Sequence, residues 1–396
     1  MTNLVSLQQT YQSIFDRFAL PFPRAARQDR IERGEPDASI THEKRKIAVE
    51  ETLMPENTEF EEYGLPRKTH EEADGPSGSV VLGEGDYRYS VTGENWGTLP
   101  DGWKFHEATA VAVDQQDRVL VFNRGTSAIV VFDTDGNMID NWGEGIFKSP
   151  HGISIDPDGN VFLVDNGDST IRKFTPSGEL LMTLGEANKT SAPMSGKPFN
   201  VPTHVAVDPT SGEFFVSDGY TNAVVHRFSP EGELISSWGE SGTDEGQFNI
   251  VHNIAIDSQG LLYVADRENH RIQVFNQDGE FQTQFVNMSR TAAIYIDTRH
   301  EEDIVYIGEY FAGIGSNHMG TNLGPRVTVM NTKGEVLSRV GIESYGSQHG
   351  RFFTPHGISV DSHGDVYVAE VSHSDYGGGW NIDHELRSMQ KLVRQR

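Results

Sequence analysis

The sequence Pro-His-Gly-Ile-Ser-Ile-Asp-Pro-Asp-Gly at residues 150–159 recurs, with changes, through the C-terminal three quarters of the chain. Further versions lie at residues 354–361, 251–257 and 201–208 and, in weaker form, at residues 109–114 and 292–297. Each version is a short β-type run that ends in an aspartate. Six similar short β units in one chain predict a repeat architecture.

One full unit runs from residue 151 to residue 186 as four β runs separated by turn residues. Four short strands in a meander have the size of one propeller blade. The first run of each unit ends at an anchor aspartate, and these are Asp114, Asp156, Asp208, Asp257, Asp297 and Asp361. The irregular gaps between them place insertions at residues 187–200 and 310–325. The sequence therefore predicts an all-β, six-bladed β-propeller over residues 81–396.

The last unit supplies only three strands, because its third run at residues 388–393 is not followed by a fourth. Residues 87–97, Tyr-Arg-Tyr-Ser-Val-Thr-Gly-Glu-Asn-Trp-Gly, resemble the fourth strand of the third unit at residues 234–240. We expect this N-terminal strand to complete the last blade and close the ring.

Residues 1–80 have a different character. Apolar residues recur at helical spacing over residues 3–19, which predicts an amphipathic helix ended by Pro21 and Pro23. Residues 24–75 are charged and poor in apolar groups, which fits an arm that wraps the main domain or a second subunit, or a partly disordered tail. A homo-oligomer formed through the apolar helix is one expectation for this segment.

Composition narrows the class of protein. The formal net charge is -26, which argues against nucleic acid or an anionic membrane as partner, since both require basic patches. Without cysteine, disulfides and thiolate metal sites are ruled out. The N-terminus lacks the pattern of a signal peptide, and no apolar stretch is long enough to span a bilayer. We expect a cytoplasmic protein.

Alignment of the six units on their anchor aspartates reveals candidate metal ligands. The residue five positions before the aspartate is histidine in units two, four and six, as His151, His252 and His356. Units one, three and five have Thr109, Thr203 and Ala292 there. In a six-bladed ring the even blades lie 120° apart, so the three imidazoles would converge on the axis. His204 lies one position later in its unit and is not expected to be a ligand.

Three histidines without a thiolate or carboxylate favour zinc, although iron, cobalt or nickel would also accept them. A three-ligand site leaves the fourth tetrahedral position open, which suits catalysis rather than a closed structural role. The alternative is that each histidine is simply a satisfied surface or core residue. The alternation between even and odd units favours the metal site.

The repeat resembles a known one. The run Tyr-Val-Ala-Asp-Arg-Glu-Asn-His-Arg-Ile-Gln-Val-Phe at residues 263–275 is similar to the NHL repeat. Specific elements, at residues 121–125, 150–152, 215–220, 251–252 and 354–356, resemble the peptidyl-α-hydroxyglycine α-amidating lyases, which are six-bladed zinc propellers. The resemblance covers roughly residues 105–395.

The resemblance implies roles for further residues. Tyr220 would be the catalytic base, and Arg124 and Arg267 would bind substrate and shape the site. Each has a structural alternative, since a tyrosine can cap a blade and Asp-Arg-x-Asn-x-Arg around Arg267 is common blade architecture. The family's calcium site would use the carbonyls of Val111 and Ile153.

The sequence also departs from these lyases. The acidic calcium ligand that follows the third histidine is replaced by Gly357, so calcium would be weakly held. The methionine two residues before that histidine is replaced by Thr354, and the disulfides of the secreted enzymes are missing. A role in peptide-hormone maturation is therefore not expected, although the chemistry could act on another substrate.

Three functional hypotheses follow. The first is a zinc-dependent lyase that cleaves an N–C(OH) carbinolamide bond of a small or peptide-like substrate, giving an amide and an aldehyde. The second is a zinc-dependent hydrolase or hydratase of a small amide, lactone or related compound. The third is a non-catalytic NHL propeller that binds proteins, and it leaves the alternating histidines unexplained.

Overall fold

A computed structural model of the chain describes residues 80–91, 96–312, 323–341, 346, 348–377 and 384–396, with the side chains of residues 375–377 left out. The N-terminal arm predicted for residues 1–80 lies, apart from Val80, outside the described residues. Its predicted helix and its role in oligomer formation therefore stay predictions.

Six antiparallel sheets form the blades of a β-propeller, as the repeat predicts. Blade 1 consists of strands Ala108–Val113, Val119–Asn123, Ile129–Phe132 and Met138–Trp142. Blade 2 consists of strands Pro150–Ile155, Val161–Asp165, Thr170–Phe174 and Leu180–Leu184. Blade 3 consists of strands Pro202–Val207, Phe214–Asp218, Val224–Phe228 and Leu234–Trp238. Blades 4 and 5 consist of strands Val251–Ile256, Leu262–Asp266, Arg271–Phe275 and Phe281–Phe285; and Arg290–Asp297, Ile304–Tyr310, Arg326–Asn331 and Val336–Val340. Within each blade the first strand in sequence is the innermost.

Blade 6 combines both ends of the propeller domain. Its inner strands are Pro355–Val360, Val366–Glu370 and Met389–Arg394. Strand Tyr87–Val91 pairs with the last of these, with Ser90 opposite Val393, and thereby closes the ring. The predicted closure is confirmed. The structure adds a strand that the sequence analysis missed, because Val80–Glu84 forms a hairpin with the closing strand and makes this sheet five-stranded.

The core consists of separate apolar clusters, one at each junction between neighbouring blades. The cluster between blades 2 and 3, for example, packs Phe162 against Phe214, with ring centroids 5.0 Å apart. The cluster between blades 6 and 1 packs Trp96 against Tyr367 and Phe132. Alternating side chains of each sheet fill these junctions, and their burial fixes the order and spacing of the blades.

Tryptophans near the outer edges explain why the closing segment resembles a fourth strand. Trp238 of blade 3 packs over Gly279 in a turn of blade 4, where an added Cβ would lie 2.7 Å from the indole. Trp96 packs over Gly136 of blade 1, where an added Cβ would lie 3.1 Å from the indole. Both glycines have a φ near +85°, which a larger residue would adopt only with strain.

Regular structure outside the blades is sparse in the described residues. A single 3₁₀ turn spans Arg267–Asn269, a π-helical turn spans Ser372–Gly377, and a short parallel pair joins Glu240–Ser241 to Gln247–Phe248. None of the helical segments in the described part of the chain is long and apolar enough to cross a membrane.

Candidate metal centre and active site

Every innermost strand has a β-bulge at the position aligned with the histidines. In blade 2, Pro150 pairs with Asp165 and Gly152 with Val164, so His151 has no partner on the second strand. The same interruption falls at the equivalent residue of the other blades, namely Thr109, Thr203, His252, Ala292 and His356. A bulge re-aims the side chain of its extra residue. All six bulges lie at one level of the central channel.

The three histidines meet on the channel axis, as the alignment predicts. Their ligand nitrogens all lie within 4.8 Å of one another. The ring centroids of His151 and His356 are 4.6 Å apart, those of His252 and His356 4.7 Å, and those of His151 and His252 5.1 Å. All three residues are buried, with at most 4% of their surface exposed.

The following blade orients each imidazole. Nδ1 of His151 donates to the carbonyl oxygen of Thr203 at 2.8 Å, and Nδ1 of His252 and of His356 donate to Ala292 and Thr109, each at 2.6 Å. These acceptors are the bulge residues of blades 3, 5 and 1. Carbonyl oxygens only accept, so the proton lies on Nδ1 and each Nε2 keeps its lone pair. This is the outer-shell bond that metal-ligating histidines commonly make.

The environment keeps these rings uncharged. Burial lowers the pKa of His356 to about 3. Burial, followed by the charge interaction with His356, lowers the pKa of His151 well below its usual value. For His252 the causes are burial and then the nearby charge of Arg267. Three neutral, oriented Nε2 atoms are the donor set that zinc and similar transition metals bind, so the residues fit the predicted metal.

Tyr220 of blade 3 lies beside two of the histidines. Its hydroxyl is 3.3 Å from Nε2 of His151 and 3.2 Å from Nε2 of His252. Arg267 donates from Nη1 to the same oxygen at 3.3 Å, and its guanidinium carbon lies 5.4 Å from the centre of the Tyr220 ring. The hydroxyl therefore stands between two of the candidate metal ligands and a fixed positive charge.

Burial opposes the charge on Arg267, but Tyr220, Tyr310 and Glu268 together outweigh it and raise the pKa of Arg267. Arg267 is thus a buried cation held at the mouth of the site.

Tyr310 of blade 5 is a site residue that the sequence analysis missed. Its ring centroid lies 6.3 Å from that of His356 and 6.4 Å from that of His252. Arg267 and Arg290 both pack against this ring, at 5.6 Å and 5.4 Å from its centre. The three histidines form a triangle. Tyr310 lies beside its His252–His356 side, and Tyr220 lies beside its His151–His252 side.

Glu268 joins the two arginines that pack against Tyr310. Its carboxylate accepts from Nε of Arg267 and from Nη2 of Arg290, each at 2.7 Å. Burial works against its ionisation, but the bonds and charges of Arg290 and Arg267 prevail and lower its pKa. The pairing fixes the planes of both guanidinium groups.

Arg124 of blade 1 follows the second strand of its blade and points toward the remaining side of the triangle. Its Nη1 donates to Glu107 at 2.6 Å and to Oγ of Ser374 at 2.8 Å, and its Nε contacts the carbonyl of Pro150 at 3.4 Å. Its charge contributes to the lowered pKa values of His151 and His356. Its side chain is 26% exposed, so it remains accessible from the mouth of the site.

The two arginines of the Asp-Arg-x-Asn-x-Arg segment in blade 4 make different contacts. Arg271 donates to the buried carboxylate of Asp266 at 2.7 Å, and that carboxylate also accepts from the backbone N–H of Asn249. This ion pair is blade architecture. Arg267 instead turns toward the channel and contacts Tyr220.

Three of the side chains around the histidines occupy the same position in the alignment of the blades. Asn123, Asp165, Asp218, Asp266, Glu309 and Glu370 occupy equivalent positions near the ends of the second strands. The residues that directly follow in blades 1, 4 and 5 are Arg124, Arg267 and Tyr310. The sequence hides Tyr310 because the first turn of blade 5 is three residues longer, which places Tyr310 thirteen residues past its anchor aspartate, whereas Arg124 and Arg267 lie ten past theirs.

Comparison with known proteins agrees with this geometry. Residues 147–174 and 248–275 match the NHL repeat. The chain is 32% identical over 314 residues to peptidyl-alpha-hydroxyglycine alpha-amidating lyase 1 of Drosophila melanogaster, which covers 68% of this chain and 56% of the fly protein. The chain is an NHL-repeat propeller homologous to the amidating lyases.

Two further relatives show the range of proteins with a similar sequence. Peptidyl-glycine alpha-amidating monooxygenase B of Xenopus laevis is 30% identical over 301 residues, which cover 68% of this chain and 33% of the frog protein. NHL repeat-containing protein 3 of Homo sapiens is 32% identical over 197 residues, which cover 46% of this chain and 56% of the human protein. The present chain thus spans about a third of the length of the frog monooxygenase.

The channel of this amidating-lyase homologue continues inward from the histidines as a cavity of about 270 Å³. Val111 and Ile153, the predicted calcium ligands, line it together with His204 and Asn253, and none of its described lining residues carries a carboxylate. Within the described residues, Nδ1 of His204 and Oδ1 of Asn253 are buried without a hydrogen-bond partner. Burial lowers the pKa of His204 to about 4, so the lining is neutral. Such a donor set fits calcium poorly.

Proposed function

We propose that this protein is a metal-dependent lyase that cleaves the N–C(OH) bond of an N-acyl-α-hydroxyglycine or a related carbinolamide. The products are an amide and an aldehyde. The observation that carries the proposal is the position of the Tyr220 hydroxyl between two neutral Nε2 atoms and the Arg267 guanidinium. The name of the fly relative, a peptidyl-alpha-hydroxyglycine alpha-amidating lyase, supports the same substrate class.

The reaction moves one proton and one electron pair from oxygen toward nitrogen. The substrate hydroxyl loses its proton, its oxygen forms the C=O bond of the aldehyde, and the C–N bond breaks with its electron pair going to the amide nitrogen. That nitrogen then takes up a proton, so no water or oxidant is consumed. A zinc ion held by His151, His252 and His356 would supply Lewis-acid polarisation of the hydroxyl oxygen.

Tyr220 is placed to carry the proton. Its oxygen lies 3.3 Å and 3.2 Å from the Nε2 atoms of His151 and His252, so it would lie next to any hydroxyl presented to the centre. In its ionised form the phenolic oxygen would accept the hydroxyl proton, and the adjacent Arg267 would stabilise the negative charge of that form. Tyr220 would then return a proton to the departing amide nitrogen.

The charges around the mouth suit an anionic substrate. Arg124, Arg267 and Arg290 carry three positive charges, and the carboxylates paired with them, Glu107 and Glu268, carry two negative charges. The remaining positive charge, added to that of a divalent metal, would attract a carboxylate. An α-hydroxyglycine group has its carboxylate on the carbon that bears the hydroxyl, so both would reach the site together. Arg124 and Arg267 are the candidates to bind it.

The test begins with the metal content of protein purified without chelator. We expect about one zinc, or another divalent transition metal, per chain in the wild type and its loss in His252→Ala. The matched control is His204→Ala. His204 lies one residue after Thr203, the position aligned with the three proposed ligands, so this variant should keep the metal. Stoichiometric metal in His252→Ala would overturn the ligand assignment.

Activity is then followed on an N-acyl-α-hydroxyglycine in ¹⁸O-labelled water, with amide and aldehyde separated at early times. The lyase yields the primary amide without solvent oxygen in its carbonyl group. Carboxylic acid labelled with ¹⁸O would indicate the zinc-dependent hydrolase instead. An intact fold that binds no metal and converts no substrate would leave a protein-binding NHL propeller.

A further inference from the structure

A second cavity lies at the opposite end of the ring from the histidines, where the closing strand joins blade 6. It has a volume of about 500 Å³ and is called the seam pocket here. Its basic lining residues are Arg88, Arg299, His300, His363, Arg394 and Arg396. Asp361, which neighbours this pocket, is five residues beyond His356 on the innermost strand of blade 6, a distance of about 16 Å along an extended chain. The pocket is therefore separate from the proposed active site.

The charge of the seam pocket is opposite to that of the chain as a whole. The chain has a formal net charge of -26, counted with neutral histidines, yet four guanidinium groups line this cavity. Among the described residues, Asp86 and Asp297 line it with their carboxylates, and those of Asp117 and Asp361 lie 4.0 Å and 3.9 Å from Nδ1 of the lining residue His363. Asp297 is already engaged, because it accepts from Nε and Nη2 of Arg299 at 2.7 Å and 2.9 Å and from His300 at 3.1 Å. With Asp297 paired to Arg299, the surplus of positive charge rests on the guanidinium groups of Arg88, Arg394 and Arg396, against the one remaining lining carboxylate, Asp86.

The other arginines keep donors available. Arg394 uses Nε for the carbonyl of Asp86 at 3.3 Å and packs on the Tyr87 ring at 4.7 Å. Arg396 uses Nη2 for the carbonyl of His363 at 3.4 Å. Arg88 is exposed and makes no ion pair with any residue that the structure describes. Guanidinium groups that converge without enough carboxylates are typical of sites that bind phosphate or carboxylate through paired N–H donors.

The lining comes from distant parts of the chain. Arg88 lies on the closing strand, Arg299 and His300 on the first turn of blade 5, His363 on the equivalent turn of blade 6, and Arg394 on the strand with which the closing strand pairs. An anion bound here would contact both ends of the propeller domain and the neighbouring blade. Because such a ligand would bind the closed ring and not the unfolded chain, it would also stabilise the fold.

We propose that the seam pocket binds a phosphate group, either as free phosphate or as part of a phosphorylated small molecule, and that this anion strengthens the closure of the ring. The inference does not rest on the proposed lyase activity. It uses none of the residues around the three histidines.

The test measures Tm and calorimetric binding with inorganic phosphate and with phenyl phosphate, at an ionic strength held constant with chloride. We expect Tm to rise with phosphate. We expect Arg88→Gln/Arg396→Gln to weaken binding at least tenfold, since both side chains are exposed and their loss leaves the core intact. The control Lys189→Gln/Lys197→Gln removes two exposed charges between blades 2 and 3 and should bind as the wild type does.

The outcomes separate the alternatives. Tighter binding of phenyl phosphate than of inorganic phosphate would identify a phosphorylated small molecule as the ligand, and the reverse would identify free phosphate. An equal rise of Tm in chloride alone, or equal weakening in the lysine variant, would show a general charge effect and overturn the proposal. Metal content and lyase activity should be unchanged in Arg88→Gln/Arg396→Gln, so failure of one proposal leaves the other standing.

Discussion

The three histidines should bind their metal without releasing protons, even in mild acid. Each ring is buried, donates Nδ1–H to a carbonyl of the next blade and has a lowered pKa, which for His356 is about 3. Ordinary imidazoles, with a pKa of about 6.5, must lose a proton before they bind a metal below that pH. A drop in pH from 7.5 to 5.5 is therefore the perturbation that distinguishes this site from an exposed one.

The size of the difference follows from the fraction of neutral rings. At pH 5.5 an imidazole with a pKa of about 6.5 is neutral in roughly 9% of molecules. Three such ligands would lower the apparent metal affinity by about 10³-fold and release about 2.7 protons for each metal bound. For rings already neutral at this pH, both quantities should be close to zero.

The assay is isothermal titration of zinc into metal-free protein at pH 5.5 and 7.5, in buffers with different ionisation enthalpies. The buffer dependence of the heat gives the number of protons released. At pH 7.5 both possibilities predict less than about one proton, so this measurement serves as the internal control. Release of two or more protons at pH 5.5, from protein whose circular dichroism is unchanged, would refute the claim that the folded site holds its imidazoles neutral.

Two further predictions concern the centre and the channel. Tyr220→Phe should lower kcat by about 10²–10⁴-fold, because it removes the hydroxyl that lies within hydrogen-bond distance of both Nε2 atoms. Phenylalanine preserves the packing, so the metal content should stay at the wild-type value, and loss of metal in this variant would instead indicate a structural role. Added calcium, or its removal with EGTA, should change Tm by less than about 1 °C, because none of the described residues that line the cavity with Val111 and Ile153 carries a carboxylate. A larger shift would show that the carbonyls of Val111 and Ile153 bind the ion.

The sequence was sufficient to predict the fold and the positions of the three histidines, because the repeat fixes the register of each blade. Once the anchor aspartates are aligned, the channel-facing position is the same in every unit, and the alternation of His151, His252 and His356 with Thr109, Thr203 and Ala292 can be read directly. The closing strand could be predicted for the same reason, since the last unit lacks a strand and residues 87–97 resemble one.

The bulges and the partners of the arginines could not be predicted. A regular strand places side chains on alternate faces, and nothing in the residue types around His252 shows that the pairing skips it. The contacts of Glu107 with Arg124 and of Glu268 with Arg290 join residues 17 and 22 positions apart, from separate elements of the ring mouth. Spacing in the sequence does not record such approaches, which depend on the loops after the second strands.

The structure also shows why the two kinds of blade differ. Even blades supply the imidazoles, and odd blades supply the carbonyl oxygens that orient them, through the bulge residues Thr203, Ala292 and Thr109. Odd blades also supply Tyr220, Tyr310 and Arg124 on the three sides of the triangle. The bond from His356 to Thr109 crosses the junction between blade 6 and blade 1, next to which the closing strand completes the ring. No blade alone therefore has a ligand in its binding orientation, and the proposed metal centre forms only when the ring is closed.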